Sequence, residues 1–385
     1  MAPARTAVAM ALLSTTFFAA ITFETLPVGL LGAMARGLGA SEGNSGLLVS
    51  AYSVVVVLGA IPLSAMAVRF DARRTLVTVL AVFAGSAALL ACSPDLPVAV
   101  AARLVGGIAH ALVFTGVWRI ALAIVAPDRR GRAASVLGLG NAGAFAAGVP
   151  AGTALGVATA WWTPFVVVAG VFTALAVALA VVLPGDVAAR SNGPTTRAAL
   201  RAARRPPLLR LGLTITLLVT GHFVTYTYVE PLLRGAGVAA HTVSLVLLLY
   251  GVTSILGLSL VAVVADRWPA AALRAVLGLL VAVVATLWLG HGSVALTIGA
   301  VVLWGLAFGS TPVLFQVLLL RAEPDVPEIG PSINNTTFNV GITLGSVAGG
   351  LVLTWTSIGG LGLVSAVILA VVLALTVRPG WLPAD

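Results

Sequence analysis

Apolar residues fill most of this chain in blocks of about 20, closed by turn residues or arginines, with neither strand alternation nor a water-facing stripe. A helix of that length spans the hydrocarbon of a bilayer and bonds its own backbone groups, which lipid cannot do for it. Barrel strands would alternate in polarity, and these blocks do not. The pattern predicts an all-α membrane protein of twelve transmembrane helices, over residues 7–34, 45–67, 75–93, 97–125, 132–157, 162–183, 208–233, 241–265, 271–290, 293–320, 328–353 and 357–378. Arg5 ahead of the first block resembles a secretory signal. The block runs on past Glu24 to Leu31, however, so a first membrane helix is expected there.

The longest polar segment lies near the middle. It divides the chain into six-helix halves, 1–183 and 208–385, joined by a cytoplasmic linker over 184–207 with a short surface helix expected at Arg197 to Arg205. Two features repeat across that division at one spacing. Asn141, Gly143, Gly148 and Gly152 in the fifth span match Asn339, Gly341, Ser346 and Gly350 in the eleventh, each 198 residues later. Arg69 after the second span and Arg267 after the eighth share that offset. The chain thus reads as two copies of one plan. Within the fifth span Gly148, Gly152 and Gly156 stand four apart, on one side of a helix where a second backbone can come close. Pro150 among them removes a backbone hydrogen bond, which predicts a bend at a closely packed interface.

Composition excludes a soluble fold. The chain is 60% hydrophobic and 9% charged, against about 45–50% and about 25% for an ordinary soluble domain. The net charge of +9 reflects 21 basic residues, all arginine. With the N-terminus in the cytoplasm, 17 of the 21 fall on the cytoplasmic side, in alternate short loops, the linker and the tails. That is the positive-inside distribution of a polytopic membrane protein, so no nucleic-acid partner is expected. The linker arginines are placed to meet anionic lipid headgroups. The single cysteine, Cys92, can form no internal disulfide. No phosphate-loop motif occurs and the four histidines, His110, His222, His241 and His291, lack ligand spacing, so neither cofactor nor metal is expected.

GVPAGTALG followed by WWTPF is similar to the fifth-helix antiporter motif of the proton-coupled drug and sugar efflux branch of the major facilitator superfamily, which includes arabinose-type efflux permeases. ARLVGGIAH resembles that branch's fourth-helix motif and carries its arginine onto Arg103 and its histidine onto His110. FETLPVGLL resembles the first-helix pattern and places the acidic residue at Glu24. The superfamily's loop motif, G-x-x-x-D-R-x-G-R-R, is degenerate. Ser64, Val68 and Asp71 replace the first glycine, the aspartate and the second glycine, while Arg69 and Arg73 remain. Asp266 and Arg267 are retained in the second copy. The resemblance implies a major facilitator fold whose spans one, four, seven and ten line a central cavity, and export in exchange for protons.

Glu24 is the only carboxylate well inside the first half of the membrane domain. A charge at the bilayer centre costs at least about 2.5–3.5 kcal/mol, so such a residue is a functional candidate by default, here for proton coupling. Arg103 and His110, seven apart, share a face of the fourth span, and in the implied fold Arg103 approaches Glu24. An ion pair that a proton or substrate opens is expected of these two. His110 is open to either packing or a cavity role, and Arg119 to snorkelling or an interhelical bond. In the seventh span His222, Tyr226 and Glu230 form a polar stripe at i, i+4 and i+8, with Glu230 either a solvated rim residue or a coupling group. In the tenth, Trp304, Phe308, Thr311 and Phe315 share a face that suits packing or an apolar substrate. Gln316, Asn334 and Asn339 are weaker cavity candidates, with helix-to-helix hydrogen bonds the plainer role.

The expected protein is a monomeric secondary transporter of the bacterial inner membrane, with both termini cytoplasmic. It works by alternating access and exports a drug-like compound or sugar for protons. The same fold running as an uptake symporter is the alternative. A polytopic membrane enzyme would need convergent acids or a His/Asp pair at a membrane face, and the loops supply none. A sensor would carry an appended signalling domain.

Overall fold

The computed structural model describes residues 3–67, 69–126, 129–185, 204–290, 292–322 and 329–383, and among them every regular element is helical. The helices are α1 (Pro3–Gly37), α2 (Glu42–Ser45), α3 (Leu47–Ala67), α4 (Ala72–Ala91), α5 (Leu96–Ile124), α6 (Arg130–Gly143), a π turn (Ala144–Gly148), α7 (Val149–Ala158) and α8 (Thr163–Val182). After the linker come α9 (Pro206–Tyr226), α10 (Val229–Gly235), α11 (Ala240–Ala265), α12 (Pro269–Leu289), α13 (Val294–Gly309), α14 (Thr311–Ala322), α15 (Ile329–Trp355) and α16 (Ile358–Thr376). Twelve stretches among the described residues are long and apolar enough to cross a membrane. Helix starts follow ordinary capping. Asp71, Asp95 and Ser293 each accept the amide of the third residue on, as side-chain caps do. Large apolar side chains point outward, Val263 and Leu289 being 82% and 72% exposed, as lipid rather than water allows. The linker helix expected over 197–205 lies outside the described residues as far as 203; Arg204 and Arg205 form the turn leading into α9. Val68 and His291 also lie outside them.

Two compact units emerge, Met1–Ala40 with Ala51–Asn192 and Ser41–Ser50 with Gly193–Asp385. In the first, α1 packs along α6, the π turn and α7, while α4 packs on α5 and α8. In the second, α9 packs along α15, and α12 packs on α13 and α16. The α1 partnership rests on missing side chains. A Cβ at Gly148, Gly152 or Gly156 would run into Thr22, Leu26 or Leu30, themselves four apart on α1. On α15 it is Gly341, Gly345 and Gly349 that lie against Thr216, Thr220 and Val224 of α9.

That pairing corrects the repeat register. Gly143 and Gly341, 198 apart, meet Phe18 and Thr216, also 198 apart. Beyond the π turn the counterparts of Gly148 and Gly152 are Gly345 and Gly349, 197 apart, and not Ser346 and Gly350. The π turn is the cause. Pro150 lacks the N–H that would bond Ala146, and its ring would crowd that carbonyl. The helix widens instead, Val149 donating to Ala144 five residues back, and the wide turn takes up one extra residue. The bend expected at Pro150 is thus a π turn.

Prolines also break two predicted spans. Pro231 stands four residues after Thr227, where α9 and α10 part, and Pro312 four after Phe308, near the junction of α13 and α14. At the first break the Thr227 and Ser346 hydroxyls bond at 2.9 Å and Tyr228 donates its phenol to the Ser346 carbonyl at 2.8 Å. At the second, the Thr311 hydroxyl donates to the Phe308 carbonyl at 2.8 Å, replacing the bond that Pro312 cannot make.

Candidate functional site

Pro27 opens a third gap, inside α1, by leaving the Phe23 carbonyl without its helical donor. Arg103, fully buried on α5, fills it: its guanidinium donates to the Phe23 carbonyl at 2.8 Å and to the Glu24 carbonyl at 2.7 Å. Its planar fork suits two neighbouring oxygens. The same group lies 4.1 Å from the Tyr52 ring centroid and 5.0 Å from that of Phe23, within cation–π range. Phe23 in turn meets Phe83, Phe165 and Phe172 edge-on. Arg103 and Glu24 therefore meet, with hydrogen bonds from the guanidinium to two main-chain oxygens, one of which the proline has left waiting.

The Glu24 carboxylate lies 3.8 Å from His110 Nδ1, with the glutamate side chain 16% exposed. The Tyr52 hydroxyl reaches the same nitrogen at 2.9 Å. Glu24, Tyr52, Arg103 and His110 thus form one buried polar group drawn from α1, α3 and α5. The close approach of α3 to α5 that permits it needs Gly107, whose missing Cβ leaves room for the Tyr52 carbonyl. His110 joins this cluster, while Arg119 is interhelical: it donates to the carbonyls of Ala67 at 3.0 Å and Phe70 at 3.3 Å, at and just past the end of α3.

In the second unit His222, Tyr226, Trp304 and Phe308 come together. His222 stacks on Phe308 with centroids 3.4 Å apart and planes at 8°, and meets Tyr226 at 4.8 Å and Trp304 at 4.9 Å. Tyr250 of α11 completes the group, 5.1 Å from Tyr226. His222 and Trp304 are fully buried, and neither imidazole nitrogen nor the indole nitrogen has a hydrogen-bond partner. Unpartnered buried polar atoms cost about 1–3 kcal/mol each. The break after Tyr226 places Glu230 in the first turn of α10, where it is buried rather than a solvated rim residue. Gln316 is half-buried. The Asn339 amide turns inward on its own helix, donating to the Asn335 carbonyl at 3.0 Å, instead of bonding across helices.

Among the loop residues, Arg73 donates to the Ala180 carbonyl, Arg321 to that of Asp266, and Arg267 lies over Trp268 at 4.6 Å. Asp71, where the motif has glycine, caps α4.

Sequence reasoning missed Tyr52 and Tyr250, and a signal for both was present. They are 198 residues apart, as are Glu24 and His222, Gly107 and Gly305, and His110 and Phe308. Gly305 receives the Tyr250 carbonyl just as Gly107 receives that of Tyr52. The two clusters occupy one position in the repeated plan.

Known proteins agree with this architecture. The structure is similar to that of the nucleoside transporter NupG, with TM-score 0.78 and 12% identity over 96% of this chain and 98% of the other. It is also similar to a bacterial homologue of the human lysosomal transporter Spinster, with TM-score 0.71 and 14% identity over 98% and 94%. In sequence the chain is 31% identical to a chloramphenicol efflux pump of Mycobacterium tuberculosis over 90% of this chain and 86% of the pump. It is 28% identical to a probable sugar efflux transporter of Mannheimia succiniciproducens over 92% and 90%, and 32% identical to the inner membrane transport protein YdhP of Escherichia coli K12 over 86% and 85%. The family model of the Major Facilitator Superfamily matches residues 12–325. With its twelve apolar helices and that match, the chain belongs to the Major Facilitator Superfamily and is a multi-pass membrane transporter.

Proposed function

We propose that the protein exports a small organic molecule, a drug-like compound or a sugar, across the bacterial inner membrane in exchange for protons, with both termini in the cytoplasm. The observation that carries this reading is the Glu24 carboxylate set inside a membrane helix, 3.8 Å from His110 and beside Arg103. A carboxylate so placed takes a proton from one side and gives it up on the other as the halves alternate. Protonation removes its charge from the neighbourhood of His110 and Arg103, which couples the proton to the rearrangement. Each proton moving inward also gains about 2.3 kcal/mol per 100 mV of membrane potential. The activities for which the relatives are named, chloramphenicol efflux and sugar efflux, suggest the substrate classes and the direction.

The test is transport in proteoliposomes of the full chain. A pH gradient is expected to drive movement of chloramphenicol or of a sugar by the native protein, and Glu24→Gln to abolish the driven component. Unaltered driven transport by that variant removes Glu24 from the mechanism. In cells lacking their own pumps, expression is expected to lower substrate accumulation; a rise would make the protein an importer.

A further inference from the structure

The second-unit cluster packs its rings face to face and edge to face and leaves its polar atoms unmatched. Phenylalanine at position 222 would fill the same plane without burying two nitrogens that lack partners. An imidazole kept there, with the indole N–H of Trp304 equally unpartnered 4.9 Å away between ring centroids, matches the way small-molecule sites are made: aromatic walls and a few polar groups that fix orientation. In the first unit the corresponding position is Glu24, engaged with His110, so the orphaned atoms are a feature of this cluster and not of the repeated plan.

We infer that His222 and Trp304 form a binding subsite for an uncharged molecule that presents a flat apolar face with a hydroxyl or carbonyl at its edge. The indole nitrogen only donates, while a neutral imidazole donates at one nitrogen and accepts at the other, so a hydroxyl answers both residues and a carbonyl answers their donors. None of His222, Tyr226, Tyr250, Trp304 and Phe308 carries a fixed charge, and nothing in the ring cluster offsets a carboxylate, phosphate or ammonium. The ligand enters where His222 and Phe308 stack, replacing one ring contact by another. The inference rests on the reading of the protein as a transporter of small organic molecules, but not on proton coupling.

Equilibrium binding to the full chain in lipid nanodiscs, with no gradient, tests it. The probes are p-nitrophenyl glucoside, which is neutral and hydroxylated, and p-nitrophenyl phosphate, which is anionic. The native protein is expected to bind the glucoside at least tenfold more tightly than the phosphate. His222→Phe is expected to weaken glucoside binding tenfold or more while its thermal unfolding stays level or rises, since it removes orphaned polar atoms. Val263→Ala, on the outward face of α11, is expected to leave glucoside binding unchanged, and because binding is read with no gradient, a failure of the proton reading and a failure of the subsite give different results. Should His222→Phe not fold, Trp304→Phe carries the same expectation, and His222→Asn is expected to keep part of the affinity. No glucoside binding by the native protein, or equal binding by native and His222→Phe, would overturn the subsite and make the imidazole a packed core residue.

Discussion

Two clusters stand at one position of a repeated plan and differ in chemistry. Glu24, Tyr52 and His110 in the first unit correspond to His222, Tyr250 and Phe308 in the second, and Arg103 corresponds to Val301. The scaffold is shared: a tyrosine carbonyl beds into a glycine of the crossing helix in both. The side chains are not. In the first unit the polar groups engage one another and the main chain; in the second the imidazole and indole nitrogens are left among rings. Backbone packing tolerates few alternatives once helices approach through glycine, whereas a side chain that projects between helices can change without moving them. The repeat therefore preserves the crossings and frees the chemistry.

Breaking the first cluster at Arg103 has the largest expected effect. Arg103→Ala strands the Phe23 carbonyl at about 1–3 kcal/mol and empties the place of a fully buried side chain, and a marked fall in thermal unfolding temperature is expected, with Arg103→Lys intermediate because one ammonium cannot fork between both oxygens. Val301→Ala, at the matching position, is expected to cost less; equal losses would mean the arginine acts only as bulk. Next comes Gly148→Ala, whose Cβ would meet the Thr22 hydroxyl, with an expected loss of about 1–3 kcal/mol by overpacking. Tyr52→Phe removes a single hydrogen bond worth about 0.5–1.5 kcal/mol. Its sharper readout is the pH profile of driven transport, expected to shift because the His110 nitrogen facing Glu24 loses a partner, while Tyr250→Phe leaves that profile in place. At the bottom stands Gly170→Ala, where a Cβ meets nothing within 4 Å and no loss is expected beyond about 0.5 kcal/mol.

Much of the fold was legible because lipid imposes length and polarity on each span. The glycines at 148, 152 and 156 announced a close helix neighbour, and the offset of 198 announced the repeat. What stayed hidden depended on partners distant in sequence. The use of Arg103 follows from a carbonyl that Pro27 leaves free 80 residues earlier in the chain, and no local pattern joins them. Pro150 predicted a distortion but not that it would be a π turn, since a kink and a widened turn relieve the same clash. Pro231 lay within a hydrophobic block, and hydropathy alone carried the seventh span through the break that puts Glu230 in the next helix. Tyr52, one aromatic in an apolar run, had only its repeat partner to mark it.

The ways in which the proline gaps are filled set different freedoms on the helices that contain them. In α13 and α14 the Phe308 carbonyl is held by Thr311, a near neighbour in the same stretch of chain, so that gap is closed without another helix. In α1 the Phe23 carbonyl is held from α5 by Arg103, so α1 cannot straighten or sharpen at Pro27 without drawing α5 along. One gap is closed from within and the other is yoked to a second helix, and it is the yoked one that carries Glu24.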